Sequence, residues 1–95
     1  MADVLDSDTA VRRLPDILHS RMDATVFALD VGSGNCFSFD GPSARLWDLL
    51  EQPISAADAA RQLTREYDVD EAQCRDEVTA YFRRLHDEGL IAAES

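Results

Sequence analysis

Two hydrophobic periodicities divide this chain near residue 40. Before it, Thr25-Val26-Phe27-Ala28-Leu29-Asp30 is rich in β-formers, and Asn35-Cys36-Phe37-Ser38-Phe39 alternates polar or small residues with aromatic ones, so both are expected as strands. Between them Val31-Gly32-Ser33-Gly34 supplies two glycines able to take the positive φ of a tight antiparallel connection. A period of two puts Phe37 and Phe39 on one face and Cys36 and Ser38 on the other, and the phenylalanine face is expected to pack on helices. Pro15 stops any helix near Leu14 and favours extended backbone before it. Residues Val11 to Met22 therefore read as a linker entering a short edge strand near Ile17 to Arg21.

After residue 40 the period becomes helical. Asp40 is a suitable N-cap, Pro42 fits a first turn where its missing N–H costs nothing, and Pro53 bars continuation, so a first helix is expected to about Glu51. Leu46, Trp47, Leu49 and Leu50 form its apolar face, with the single Trp as a core anchor. Ser55 is expected to cap a second helix with the thin stripe Ala56, Ala59, Ala60, Leu63 and Tyr67. Asp70 is expected to cap a third helix of about 18 residues, whose stripe Cys74, Val78, Tyr81, Phe82 and Leu85 follows helical spacing. Gly89 offers a left-handed terminator, letting Leu90-Ile91 fold back on the core. The fold class is thus α+β, a winged helix-turn-helix-like arrangement with a three-stranded antiparallel sheet followed by three helices.

Ninety-five residues suit one domain with a modest core. Residues 1–10, with Asp3, Asp6 and Asp8 among small residues, read as a flexible acidic tail, and 11–95 as the single domain. A winged helix suggests DNA, but nineteen carboxylates stand against nine basic residues for a formal charge of -10. Such a field repels a phosphate backbone, so nucleic acid is not the expected partner. All nine basic residues are arginine, which removes Schiff-base and phosphate-loop lysine chemistry. Cys36 and Cys74 are not at metal-ligand spacing and are expected as reduced thiols. No signal peptide or membrane span is evident, so a cytoplasmic protein without a metal or cofactor is expected.

The motifs of common catalytic sites are missing from the sequence, and its two histidines, His19 and His86, read as surface residues. Neighbouring acids such as Asp76/Glu77 do not face each other on a helix. Glu66 could approach Asp70 across the turn, and Arg61 with Arg65 could form a small basic spot, yet nothing fixes a reacting atom between them. No catalytic residues are assigned. A different kind of site is available, because the edges of a three-stranded sheet present unpaired N–H and C=O groups that a peptide strand can extend. With Asn35 to Phe39 at such an edge, the third helix would form the opposite wall of a groove, with Val78, Tyr81 and Phe82 near its floor. The competing expectation is that this stripe is ordinary core, above all at Cys74 and Leu85.

The run VFALDVGSGNCFSFDGPSARLWDLL followed by ISAADAARQLTREYDVDEAQCRDEVTAYFRRLHDEGLI resembles the PqqD-like peptide chaperones, also called RiPP recognition elements. The resemblance lies in an aromatic-x-aromatic strand, the LWDLL helix, a Tyr-Asp-Val-Asp link and a last helix closing on Gly-Leu-Ile, over about residues 15 to 91. It implies a winged helix that binds the leader of a ribosomally made precursor peptide as a further strand and presents the core to a maturation enzyme. Carried over, the peptide-binding residues are Asn35, Cys36, Phe37, Ser38 and Phe39 on the strand, with Arg75, Val78, Tyr81, Phe82 and Leu85 on the third helix. Cys36 departs from many relatives, which carry a bulkier, often aromatic residue there.

The expected partners are therefore a leader peptide and a maturation peptidase or other modifying enzyme, with a lasso-peptide pathway as the context. One rival is a winged-helix transcription regulator, but residues 70 to 88 contain six acids and three arginines. The other is a structural subunit of a modifying enzyme, which titration with a leader peptide would separate from a recognition module.

Overall fold

A computed structural model describes residues 5–94, in which six strands and three helices form an α+β fold. The elements are β1 (Ala10–Arg13), β2 (Ile17–Met22), β3 (Thr25–Asp30), β4 (Cys36–Asp40), α1 (Pro42–Leu49), β5 (Ile54–Ser55), α2 (Ala56–Glu66), α3 (Glu71–Asp87) and β6 (Ile91–Ala93). The expected antiparallel sheet is present in the order β2-β3-β4. A second, β5-β1-β6, was not expected. Its central strand spans the end of the stretch read as a tail and the start of the one read as a linker, and Val11 pairs with both Ile54 and Ala93.

The hairpin between β3 and β4 is shaped by Gly34, at φ 80. Its N–H donates to the Asp30 carbonyl at 2.7 Å, while the Asp30 N–H donates to the Asn35 carbonyl at 2.9 Å. Two residues thus oppose one, a glycine bulge that leaves Asn35 outside the regular strand, contrary to the expected start. Register then pairs Ala28 with Phe37 and Val26 with Phe39, all on the face toward the helices, where Val26, Ala28 and Phe39 are buried.

Contrary to expectation, Asp40 does not cap α1 but closes β4 and accepts a hydrogen bond from the Thr25 hydroxyl. The cap is Gly41, at φ 57 and ψ -131, a backbone conformation that L side chains avoid. A Cβ there would meet no atom within 4 Å. Gly41→Ala should therefore lower stability by about 1–3 kcal/mol through backbone strain alone, read as a reduced urea midpoint with an unchanged slope. The other caps follow the sequence: Ser55 Oγ accepts from Asp58 N–H at 3.1 Å and Asp70 Oδ2 from Gln73 N–H at 2.9 Å. Gly89 takes φ 81 after α3.

Trp47, fully buried, joins the two sheets. Phe39 stacks on it at 5.2 Å between centroids, and the Arg13 guanidinium lies 4.7 Å above its ring. Arg13 Nη2 donates to the Trp47 carbonyl and Nη1 lies 3.2 Å from His19 Nε2. One side chain of β1 therefore ties the second sheet to α1 and to β2. Burial pushes the Arg13 pKa down, with Glu51 and Asp48 opposing. Residues 5 to 9, part of the expected tail, also dock: Leu5 is buried and its carbonyl accepts from Arg83 Nε at 2.8 Å, while the Ser7 carbonyl accepts from Ala57 N–H at 2.8 Å. The tail expectation for 1–4 lies outside the described residues.

Candidate functional site

Among the described residues the β4 edge is open, with β3 as its one neighbour in the sheet. Which of its groups are free follows from the bulge. Residues of an antiparallel strand alternate between bonding to the partner and pointing away, and the Asn35 carbonyl bonds to β3. Phe37 and Phe39 therefore spend their backbone groups on β3, whereas Cys36, Ser38 and Asp40 turn their N–H and C=O groups outward. These three residues are exposed.

Beyond Asp40 the chain turns through Gly41 into α1, at the rim of a cavity of about 430 Å³. Pro42, Ser43 and Leu46 form its α1 side, and Leu63 contributes from α2. Tyr67, Val69 and Asp70 close it from the α2–α3 link, and α3 supplies Gln73, Cys74, Glu77, Val78 and Tyr81. The stripe of small residues Ala56, Ala59 and Ala60, all buried, lets α2 sit close to α3. Edge and cavity meet at Tyr81, whose ring lies edge-on to Phe39 with centroids 6.3 Å apart. Its hydroxyl is buried and finds no hydrogen-bond partner among the described residues. Burial pushes its pKa up to about 12, and Ser43 is close enough to draw it down slightly without meeting hydrogen-bond geometry. Burial also raises the Cys74 thiol, with Glu77 and Glu71 adding to the effect.

The structure brings only some of the expected residues together. Cys36 and Ser38 stand at the free edge, and Val78 and Tyr81 line the cavity. Phe37 is half-buried on the inner face and Phe39 is core. Phe82 and Leu85, 2% and 3% exposed, belong to the core cluster and do not line the cavity. Arg75 is exposed on α3, outside the cavity lining. Glu66 does not approach Asp70: Arg45 Nε and Nη2 hold it by two bonds of 2.8 Å. Arg61 binds Asp58 at 2.7 Å instead of forming a basic spot.

The residues missed are those of the α2–α3 link. Tyr67 looked like a continuation of the α2 stripe, but the helix ends at Glu66 and Tyr67 takes extended angles, φ -129 and ψ 147. Tyr67 and Val69 are 38% and 48% exposed, and an aromatic and a valine set between acids in a turn were the available signal. The open face of the β2-β3-β4 sheet adds a smaller depression of about 210 Å³ near Leu18 and Phe27. Among the described residues no helix is long and apolar enough to cross a membrane.

A protein-family model described as "Coenzyme PQQ synthesis protein D (PqqD)" matches residues 25–91. The fold is similar to that of TbiB1, solved in complex with the TbiA(beta) leader peptide, with a TM-score of 0.82 at 21% identity over 88% of this chain and 98% of that one. It is also similar to a lasso peptide synthetase B1 complexed with the leader peptide, with a TM-score of 0.77 at 27% identity over 86% of this chain and 96% of that one. The search of curated proteins returned no significant match.

Proposed function

The chain belongs to the PqqD family, and on that premise we propose that it is a non-catalytic recognition protein taking up the leader of a ribosomally made precursor peptide as a strand along β4. The observation that carries this reading is the outward row of backbone groups at Cys36, Ser38 and Asp40, on an edge that runs into an apolar cavity. A peptide strand would satisfy that row with bonds worth about 0.5–1.5 kcal/mol net each, and side chains beyond its end would reach the cavity. The solved structure at 27% identity is a lasso peptide synthetase B1 complexed with the leader peptide, which favours a lasso-peptide context. Within the reading, Cys36, Ser38, Val78 and Tyr81 contact the peptide, and Phe37 and Phe39 hold the strand in place. The protein acts in the cytoplasm, where it delivers the bound precursor to a maturation peptidase or other modifying enzyme, without a cofactor of its own.

The test is an amide NMR titration of the full chain with the leader segment of the precursor encoded beside its gene. The Cys36, Ser38 and Asp40 amides should shift and gain protection from hydrogen exchange, together with resonances of Val78 and Tyr81. Saturable binding that leaves the β4 amides unchanged would overturn strand addition.

A further inference from the structure

Resting on the strand-addition reading and sharpening it, we propose that the cavity between α1, α2 and α3 is a subsite for an apolar residue flanked by arginine, with Glu77 and Asp70 reading the charge. The walls are apolar: Leu46, Leu63, Val69 and Val78 line it together with the tyrosine rings. Both charged residues in the lining, Asp70 and Glu77, are acidic. Gln73 holds the pair in place. Its backbone N–H bonds Asp70 Oδ2 at 2.9 Å and its side-chain amide bonds Glu77 Oε2 at 3.0 Å. The other oxygen of each carboxylate makes no hydrogen bond among the described residues and remains available to a guest.

Among the described residues no arginine forms an ion pair with either carboxylate. Arg45 is committed to Glu66 by its bidentate pair. An acidic guest is repelled by the rim and by a chain carrying -10 overall. A purely apolar guest gains nothing from the rim, whereas a guanidinium adds paired charge at the mouth and has flat, weakly hydrated faces suited to the exposed Tyr67 ring. The guest is therefore a peptide in which a large apolar residue fills the cavity and the adjacent arginine meets the two carboxylates.

Three capped dipeptides, N-acetyl-phenylalanyl-arginine amide and its citrulline and glutamate counterparts, test this by NMR titration of the full chain. The arginine peptide should bind about three- to fivefold more tightly than the citrulline one at low salt, with the glutamate peptide weakest. The preference should fade at about 1 M salt, where the screening length is about 3 Å. Glu77→Gln should reduce the ratio toward one, and Val69→Arg, at another exposed position, should do so by supplying an internal cation. Equal affinities for arginine and citrulline, or shifts away from the cavity lining, would overturn the proposal. So would cavity shifts that follow protein concentration without peptide, because a second copy would then be the occupant. A capped dipeptide is too short to add a strand, so this outcome is separate from that of the leader titration, where failure appears as silent β4 amides.

Discussion

Ser38→Pro should leave the domain folded and lower leader affinity by roughly tenfold or more, equivalent to about 1.4 kcal/mol. Ser38 is exposed on β4 and its N–H lies in the outward row, so the substitution removes no bond between β3 and β4. Proline is tolerated on edge strands for that reason. It removes one donor from the proposed peptide ladder and sets a ring where the incoming strand must lie. The control is one residue away. Phe37→Pro removes an N–H that bonds to β3 and takes away a ring packed against the core, so it should unfold the sheet before binding can be measured. Thermal melts together with calorimetric titration of both variants check the contrast; equal leader affinity for folded Ser38→Pro and the parent would refute strand addition at this edge.

Trp47→Ala should lower stability by about 3–5 kcal/mol. Its side chain is fully buried, stacked on Phe39, and covered by the Arg13 guanidinium. Removing the ring leaves a void between the sheets and strips a half-buried cation of its aromatic partner. A domain of this size has a total stability of roughly 5–14 kcal/mol, so much of the margin disappears. A urea melt should show the midpoint falling by about 1–5 M, given slopes of 1–3 kcal/mol/M. A fall of under 1 kcal/mol would mean that Trp47 does not join the sheets as described.

The parts of this fold legible in the sequence are those encoded over a few neighbouring residues. Ser55 and Asp70 are followed three positions later by the backbone donors they cap, and the Cys74, Val78, Phe82 and Leu85 stripe repeats at helical spacing. Both signals are local, so both were readable. The β5-β1-β6 sheet was not, because its strands hold two, four and three residues drawn from both ends and the middle of the chain. None is long enough to show a period, and only their pairing defines them.

The site divides in the same way. The edge strand was visible as alternation at Cys36, Phe37, Ser38 and Phe39, but which backbone groups are free depends on a bulge at Gly34 that alternation does not reveal. Asp40 had the right chemistry for a cap, yet the positive φ at Gly41 moved the helix start one residue on. The cavity was hidden because three helices and a link build it together, and Tyr67 enters it only after α2 has ended.

The unfilled edge of β4 also bears on how this protein coexists with itself at high concentration. An exposed row of unsatisfied backbone groups is a template for copies of the same strand, and short charged edges are among the means by which proteins avoid that outcome. Here β4 spans five residues and ends on Asp40, while each molecule repels its neighbours through a charge of -10 at pH 7. That repulsion disappears near the isoelectric point of about 4.3. The acidity that argued against DNA thus acts as a colloidal safeguard: it holds identical edges apart while leaving them open to a peptide of opposite charge.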